Sequence, residues 1–103
     1  MLPMQGTLDE HMERRGERPV LCLRRTEDGA IFRYAVGMSR TPPVYYSVYA
    51  EYIRGECHTV GEIPHLSQNR DQAESFCALL EHFLITPLSL EASYEDILTP
   101  DLG

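Results

Sequence analysis

Five side chains carry thiol or imidazole groups close enough along the chain to act together: Cys57, His58, His65, Cys77 and His82. Zinc would be marked by a C-x-x-C or H-x-x-x-H pair, and calcium by an acidic ligand loop. The sequence has none of these. A Cys–His nucleophile needs its base within hydrogen-bond reach. Cys57 and His58 are adjacent on a predicted strand, so they point to opposite faces. His65 reaches Cys57 only if the intervening loop folds back. Cys77 falls on an apolar helical stripe, where a free cysteine behaves as a small hydrophobe. The expectation is no catalytic residue, no metal ligand and no cofactor.

Carboxylates and tyrosines come next. Glu91, Glu95 and Asp96 could make an acidic patch on a C-terminal helix. Glu91 and Glu95 are i, i+4 neighbours of like charge, ordinary for a solvated face but also suited to an arginine-rich partner. "VYYSVYAEYI", residues 44–53, holds four of the six tyrosines. A base-stacking platform sets its aromatics in an electropositive groove, and sheets of the RRM type interleave strands with helices. Here lysine is absent, Glu51 sits in the run, and the helical patterns come at the end. The tyrosines therefore read as a strand, since tyrosine packs well on a pleated surface. Nucleic acid is not an expected partner.

The charge distribution supports that exclusion. Residues 1–50 hold seven Arg against six Asp and Glu, a balance of +1. Residues 51–103 hold two Arg against ten Asp and Glu, a balance of −8, and the sum is −7. Such a surface repels phosphate and anionic lipid; it maintains solubility or suits a basic protein partner. No segment has the ~18 apolar residues of a membrane span, and the N-terminus has no apolar signal core. The expected location is cytoplasmic, without membrane contact and with three free thiols.

A length of 103 residues allows one core. Residues 1–17 read as a mobile arm with a helical turn around Leu8–Arg15, and residues 18–103 as one α+β domain. Alternating runs over 19–25 and 30–38 flank Asp28-Gly29, a strong hairpin signal. "SRTPP" is a loop. In the third strand, near 44–53, Tyr46, Val48, Ala50 and Tyr52 should face the core, with Tyr45, Ser47, Tyr49, Glu51 and Ile53 opposite. "CHTVGEI" gives a short fourth strand ended by Pro64. Ser67 or Asn69 can cap a helix near 69–84 whose stripe is Ala73, Phe76, Cys77, Leu80, Phe83 and Leu84. Thr86-Pro87 opens a second near 88–98. The expected fold is a four-stranded antiparallel meander followed by two C-terminal helices packed on one face.

The last third, "LSQNRDQAESFCALLEHFLITPLSLEASYEDIL", resembles a small domain-of-unknown-function family of clostridial Firmicutes. The likeness lies in Ser67, Leu79-Leu80, Thr86-Pro87, Leu90 and "EDIL" at Glu95–Leu98, with "YAVG" at Tyr34–Gly37 echoing a strand. Asn69 and Ser89 stand where that family tends to have Asp and His. The resemblance implies a bacterial cytosolic protein of this fold and no particular activity. Together these features predict a non-catalytic protein–protein interaction or regulatory domain. The alternatives are a ligand binder or enzyme with a pocket between sheet and helices, and an acidic mimic of nucleic acid. A sheet covered on one side leaves its outer face for a partner, most simply a second copy in a homodimer. The residues expected there are Arg33, Tyr45, Tyr49 and Glu51, with Glu91 and Glu95 as a second contact.

Overall fold

The computed structural model describes residues 7–90. Four strands run in the order β1 (Glu17–Glu27), β2 (Ala30–Ser39), β3 (Tyr46–Arg54) and β4 (Cys57–Ser67), each antiparallel to the next. The expected meander is present. Glu27 pairs with Ala30 across a two-residue turn. Both turn residues, Asp28 and Gly29, have positive φ, 51° and 79°. That twist matches the flanking strands, which is why Asp-Gly favours it.

Helix α2 (Arg70–Phe83) follows the sheet. Asn69 caps it, its side chain accepting from the Gln72 N–H at 3.1 Å. Ala73, Phe76, Cys77 and Leu80 bury their side chains against Phe32, Tyr34 and Val36 of β2 and Val48 and Ala50 of β3. Tyr46 and Tyr52 pack at the margin of this core. The alternation read from β3 thus places its core face correctly.

Phe83 does not join that core; it is 61% exposed. The helix ends first. Leu84 takes a left-handed conformation at φ 53°, Leu84 N–H donates to Glu81 O, and Ile85 N–H donates to Leu80 O. This is a Schellman termination, which reverses the chain and brings the following residues back to the last turn. Leu84 and Ile85 occupy the place expected for Phe83. A 3₁₀ turn, η1 (Pro87–Ser89), follows with Thr86 before it. The expected second helix, near 88–98, lies almost wholly outside the described residues.

Two further expectations need correction. Pro64 does not end β4, which continues to Ser67. β4 is an edge strand, where a missing N–H leaves no ladder bond unmade. A register shift occurs opposite it, between Tyr46 and Val48, and His65 there has φ 55°. The His65 N–H donates to Ser47 Oγ at 3.0 Å. The larger correction concerns the N-terminal arm. Residues Leu8–Arg14 form helix α1, closed by a reciprocal capping box between Thr7 and Glu10. Leu8 and Met12 are buried with Ala35 and Tyr49 on the face opposite α2. Helical cover therefore lies on both sides of the sheet.

Candidate functional site

The face expected to meet a partner is the floor under α1. Even spacing along β3 aims Ser47, Tyr49 and Glu51 at it. All three are buried, Tyr49 at 0% and Glu51 at 1% exposure. β2 supplies Arg33 opposite Glu51, Ala35 opposite Tyr49 and Gly37 opposite Ser47. β4 adds His58 and Glu62, and the first residue of β1 adds Glu17.

Two carboxylates organise the layer. Glu51 meets Arg33 Nη1 at 2.8 Å and His58 Nε2 at 2.7 Å, and accepts the Leu8 N–H at 3.2 Å. That last bond satisfies one of the orphan donors at the start of α1. Arg33 also reaches Asp9 of α1, 3.2 Å away. Burial opposes the Arg33 charge, and the bond to Asp9 with the Glu51 charge outweighs it, so its pKa is held up. Glu17 accepts from Ser47 Oγ at 2.7 Å and from the Tyr49 hydroxyl. Burial first, then the bond to Glu17, pushes the Tyr49 pKa well above its ordinary value.

A close approach makes this possible. A Cβ on Gly37 would lie 2.7 Å from Glu17 Oε1 and 3.1 Å from both Met12 Cγ and a Tyr49 ring carbon. Only glycine leaves room there for the buried carboxylate and the ring. At the β4 edge, Arg15 pairs with Glu62 and holds its carboxyl below the usual range against the opposing effect of burial. His11 Nδ1 sits 3.6 Å from Glu62 Oε1, longer than a hydrogen bond. His11, Arg14, Arg15 and Glu62 line a depression of about 280 Å³.

The predicted contact residues thus separate. Arg33, Tyr49 and Glu51 come together, but as an internal network that α1 closes. Tyr45 is half-buried and packs its ring at 5.0 Å from that of His65. Glu91 and Glu95 lie outside the described residues. Sequence reasoning missed Glu17, Ser47 and His58 as members of one network. Parity along β3 marks Ser47 alone; Glu17 and His58 reach this layer through the pairing of β1 and β4 into the sheet. Cys57 and Cys22 are exposed and Cys77 is buried, all free. Among the described residues, no group of three or more His, Cys, Asp or Glu could hold a metal ion. Nor is any described helix long and apolar enough to cross a membrane.

On the other side of the sheet, large apolar side chains are open to solvent. Leu79 and Phe83 are one turn apart on the outer surface of α2, at 37% and 61% exposure. Leu88 of η1 is 89% exposed. The Phe83 ring meets that of His82 edge-on at 4.7 Å. No family model, curated protein or solved structure matches the chain. Nothing beyond the residues quoted above therefore bears on the clostridial resemblance.

Proposed function

We propose that this chain is a non-catalytic interaction domain that binds a protein partner through the outer surface of α2. The observation that supports it is the exposed pair Leu79 and Phe83 on one helix face. Large side chains left in water on a helix that already buries its other stripe mark contact surfaces. Phenylalanine is enriched in the cores of such contacts. The acid of the second half, −8 over residues 51–103, suits a partner with a basic rim around an apolar centre. This reading replaces the homodimer through Tyr45 and Tyr49, because Tyr49 is already covered by α1.

The test is capture from native cytosol on the immobilised parent and on a Leu79→Ser, Phe83→Ser double variant, compared by mass spectrometry. Both changes lie on exposed positions, so the melting temperature should stay within a few degrees. A protein retained by the parent and lost from the variant carries the reading. Identical captures on both surfaces sink it.

A further inference from the structure

Arg18, Met38 and Arg40 line a depression of about 420 Å³ on the α2 side of the β1–β2 pair. Arg18 and Met38 are opposite each other in the ladder, and Arg40 follows one residue after β2 ends. Both arginines are exposed, and Met38 between them is half-buried. Four other arginines, Arg15, Arg25, Arg33 and Arg70, each hold a carboxylate. Among the described residues, Arg18 and Arg40 hold none, and no acidic side chain lines the depression.

The frame around it is fixed. Ser39 N–H donates to Tyr45 O at 3.0 Å, and Tyr45 N–H donates to Ser39 Oγ at 2.9 Å. Ser39 Oγ also donates to Pro43 O at 3.3 Å. These bonds close the loop that carries Arg40. α2 begins at this end of the sheet, since Arg70 Nη2 reaches Val20 O at 3.4 Å.

We propose that this depression binds a phosphate monoester with an apolar body, the phosphate between Arg18 and Arg40 and the body on Met38. A phosphate monoester loses its second proton near pH ~6 and is a dianion at neutral pH, matching two unpaired guanidinium groups. Guanidinium presents a planar fork that fits phosphate oxygens two at a time. The methionine floor is polarisable and adapts to an alkyl or aryl group. Elsewhere the net charge of −7 disfavours anions, so a local pair of this kind gives selectivity of place. The proposal is independent of the α2 contact surface.

The probe is phenyl phosphate, titrated into ¹⁵N-labelled full-length chain and followed by amide and arginine side-chain NMR shifts. Saturable shifts should centre on Arg18, Met38 and Arg40. Arg18→Gln and Arg40→Gln should each weaken binding about tenfold, since each removes one charge-assisted contact. Both side chains are exposed, so the variants should melt with the parent. Benzoate, a monoanion, and inorganic phosphate, which lacks the body, should bind more weakly. A phosphotyrosine peptide that binds tighter than phenyl phosphate makes the natural source a modified protein; one that binds no tighter makes it a free ester. Shifts that are absent, or scattered over Arg14, Arg24 and Arg54, overturn the proposal. So does an affinity untouched by either substitution, or matched by benzoate or inorganic phosphate.

Discussion

The two faces of the sheet are built from the same strands and held by different forces. On the α2 face, Phe32, Tyr34, Val36, Val48 and Ala50 meet Ala73, Phe76, Cys77 and Leu80 in an apolar core. Tyr34 brings a buried hydroxyl there, and it donates to Ile85 O at 2.7 Å. On the α1 face, Leu8 and Met12 are the helix's buried side chains, and the rest of its docking is ionic. Burial of apolar area involves no charge that salt could screen or moderate pH could titrate. Ion pairs at a helix margin respond to both. A seven-residue helix is also too short to persist alone in water. One face thus secures the fold, while the other carries a short cover held by two buried apolar side chains and by charged contacts.

The largest effect should come from the apolar face. Phe76→Ala removes a ring that is 1% exposed and should destabilise the domain by about 3–5 kcal/mol in urea unfolding. A loss below about 1 kcal/mol would mean that α2 does not carry the core. The matching change, Leu8→Ala, should behave differently. It should free α1 while sheet and α2 stay folded, seen as faster amide exchange confined to α1. Equal exchange gains in α2 would erase the distinction between the faces.

Next is Glu51→Ala, which strips Arg33, His58 and the Leu8 N–H of their shared acceptor. Breaking a fully buried pair costs roughly 3–5 kcal/mol. Arg33 and His58 remain about one-third exposed and can turn to water. We therefore expect about 2–3 kcal/mol, with α1 released. Gly37→Ala should follow at about 1–3 kcal/mol, because its Cβ would press on Glu17, Met12 and Tyr49 together. In a double-mutant cycle, Glu17→Ala should recover part of that loss. Strict additivity would show that the crowding lies elsewhere.

The sheet and its α2 side were legible in the sequence, and the α1 side was not. Asp28-Gly29, the alternation of β3 and the stripe from Ala73 to Leu80 are local signals of strand pairing and helix period. Each concerns residues that bury themselves whatever lies beyond them. The role of Tyr49 and Glu51 depended on a remote element with little apolar content. "TLDE" at Thr7–Glu10 was the available clue, since a capping box marks a helix start. Leu8 and Met12 four residues apart then mark its buried side. The fate of Phe83 was set by a left-handed Leu84, and no side-chain pattern announces a non-glycine residue in that conformation.

Alkali should strike both faces. Burial pushes the Cys77 thiol up to about 12 and raises the Tyr34 and Tyr49 hydroxyls above their ordinary value. All three shifts are upward, so the neutral form is favoured in the folded state. Their contribution is intact below the unfolded-state pKa values, about 9 for the thiol and about 10 for the hydroxyls. It is lost as pH rises past them, at about 1.4 kcal/mol per group per pH unit. Unfolding at pH ~10–11 should release protons, and Tyr49→Phe should flatten the slope by one group's share. An unchanged slope in that variant would show that Tyr49 ionises as freely in the fold as outside it.

The smallest effect is the most selective. Glu62 has a lowered pKa, through Arg15 first and His11 after it. Its stabilising contribution is therefore present above about 4.5, its unfolded-state value, and lost as pH falls through the folded one. The pair with Arg15 is partly exposed, so it is worth at most ~1 kcal/mol, and salt weakens it. Among the described residues, the pair that joins α2 to the sheet is the longer Arg25–Glu81 contact at 3.6 Å, which lies apart from the Phe76 and Leu80 core. Lowering the pH from 7 to 4, or raising salt towards ~1 M, should quicken amide exchange at His11 and Met12 severalfold relative to the intrinsic exchange rate under each condition. Phe76 and Leu80 should be left nearly untouched. Arg15→Gln should bring about the same quickening at neutral pH and remove most of the salt response. If α1 and α2 amides instead respond in proportion, α1 is bound chiefly by Leu8 and Met12, and the charges around it are incidental to its docking.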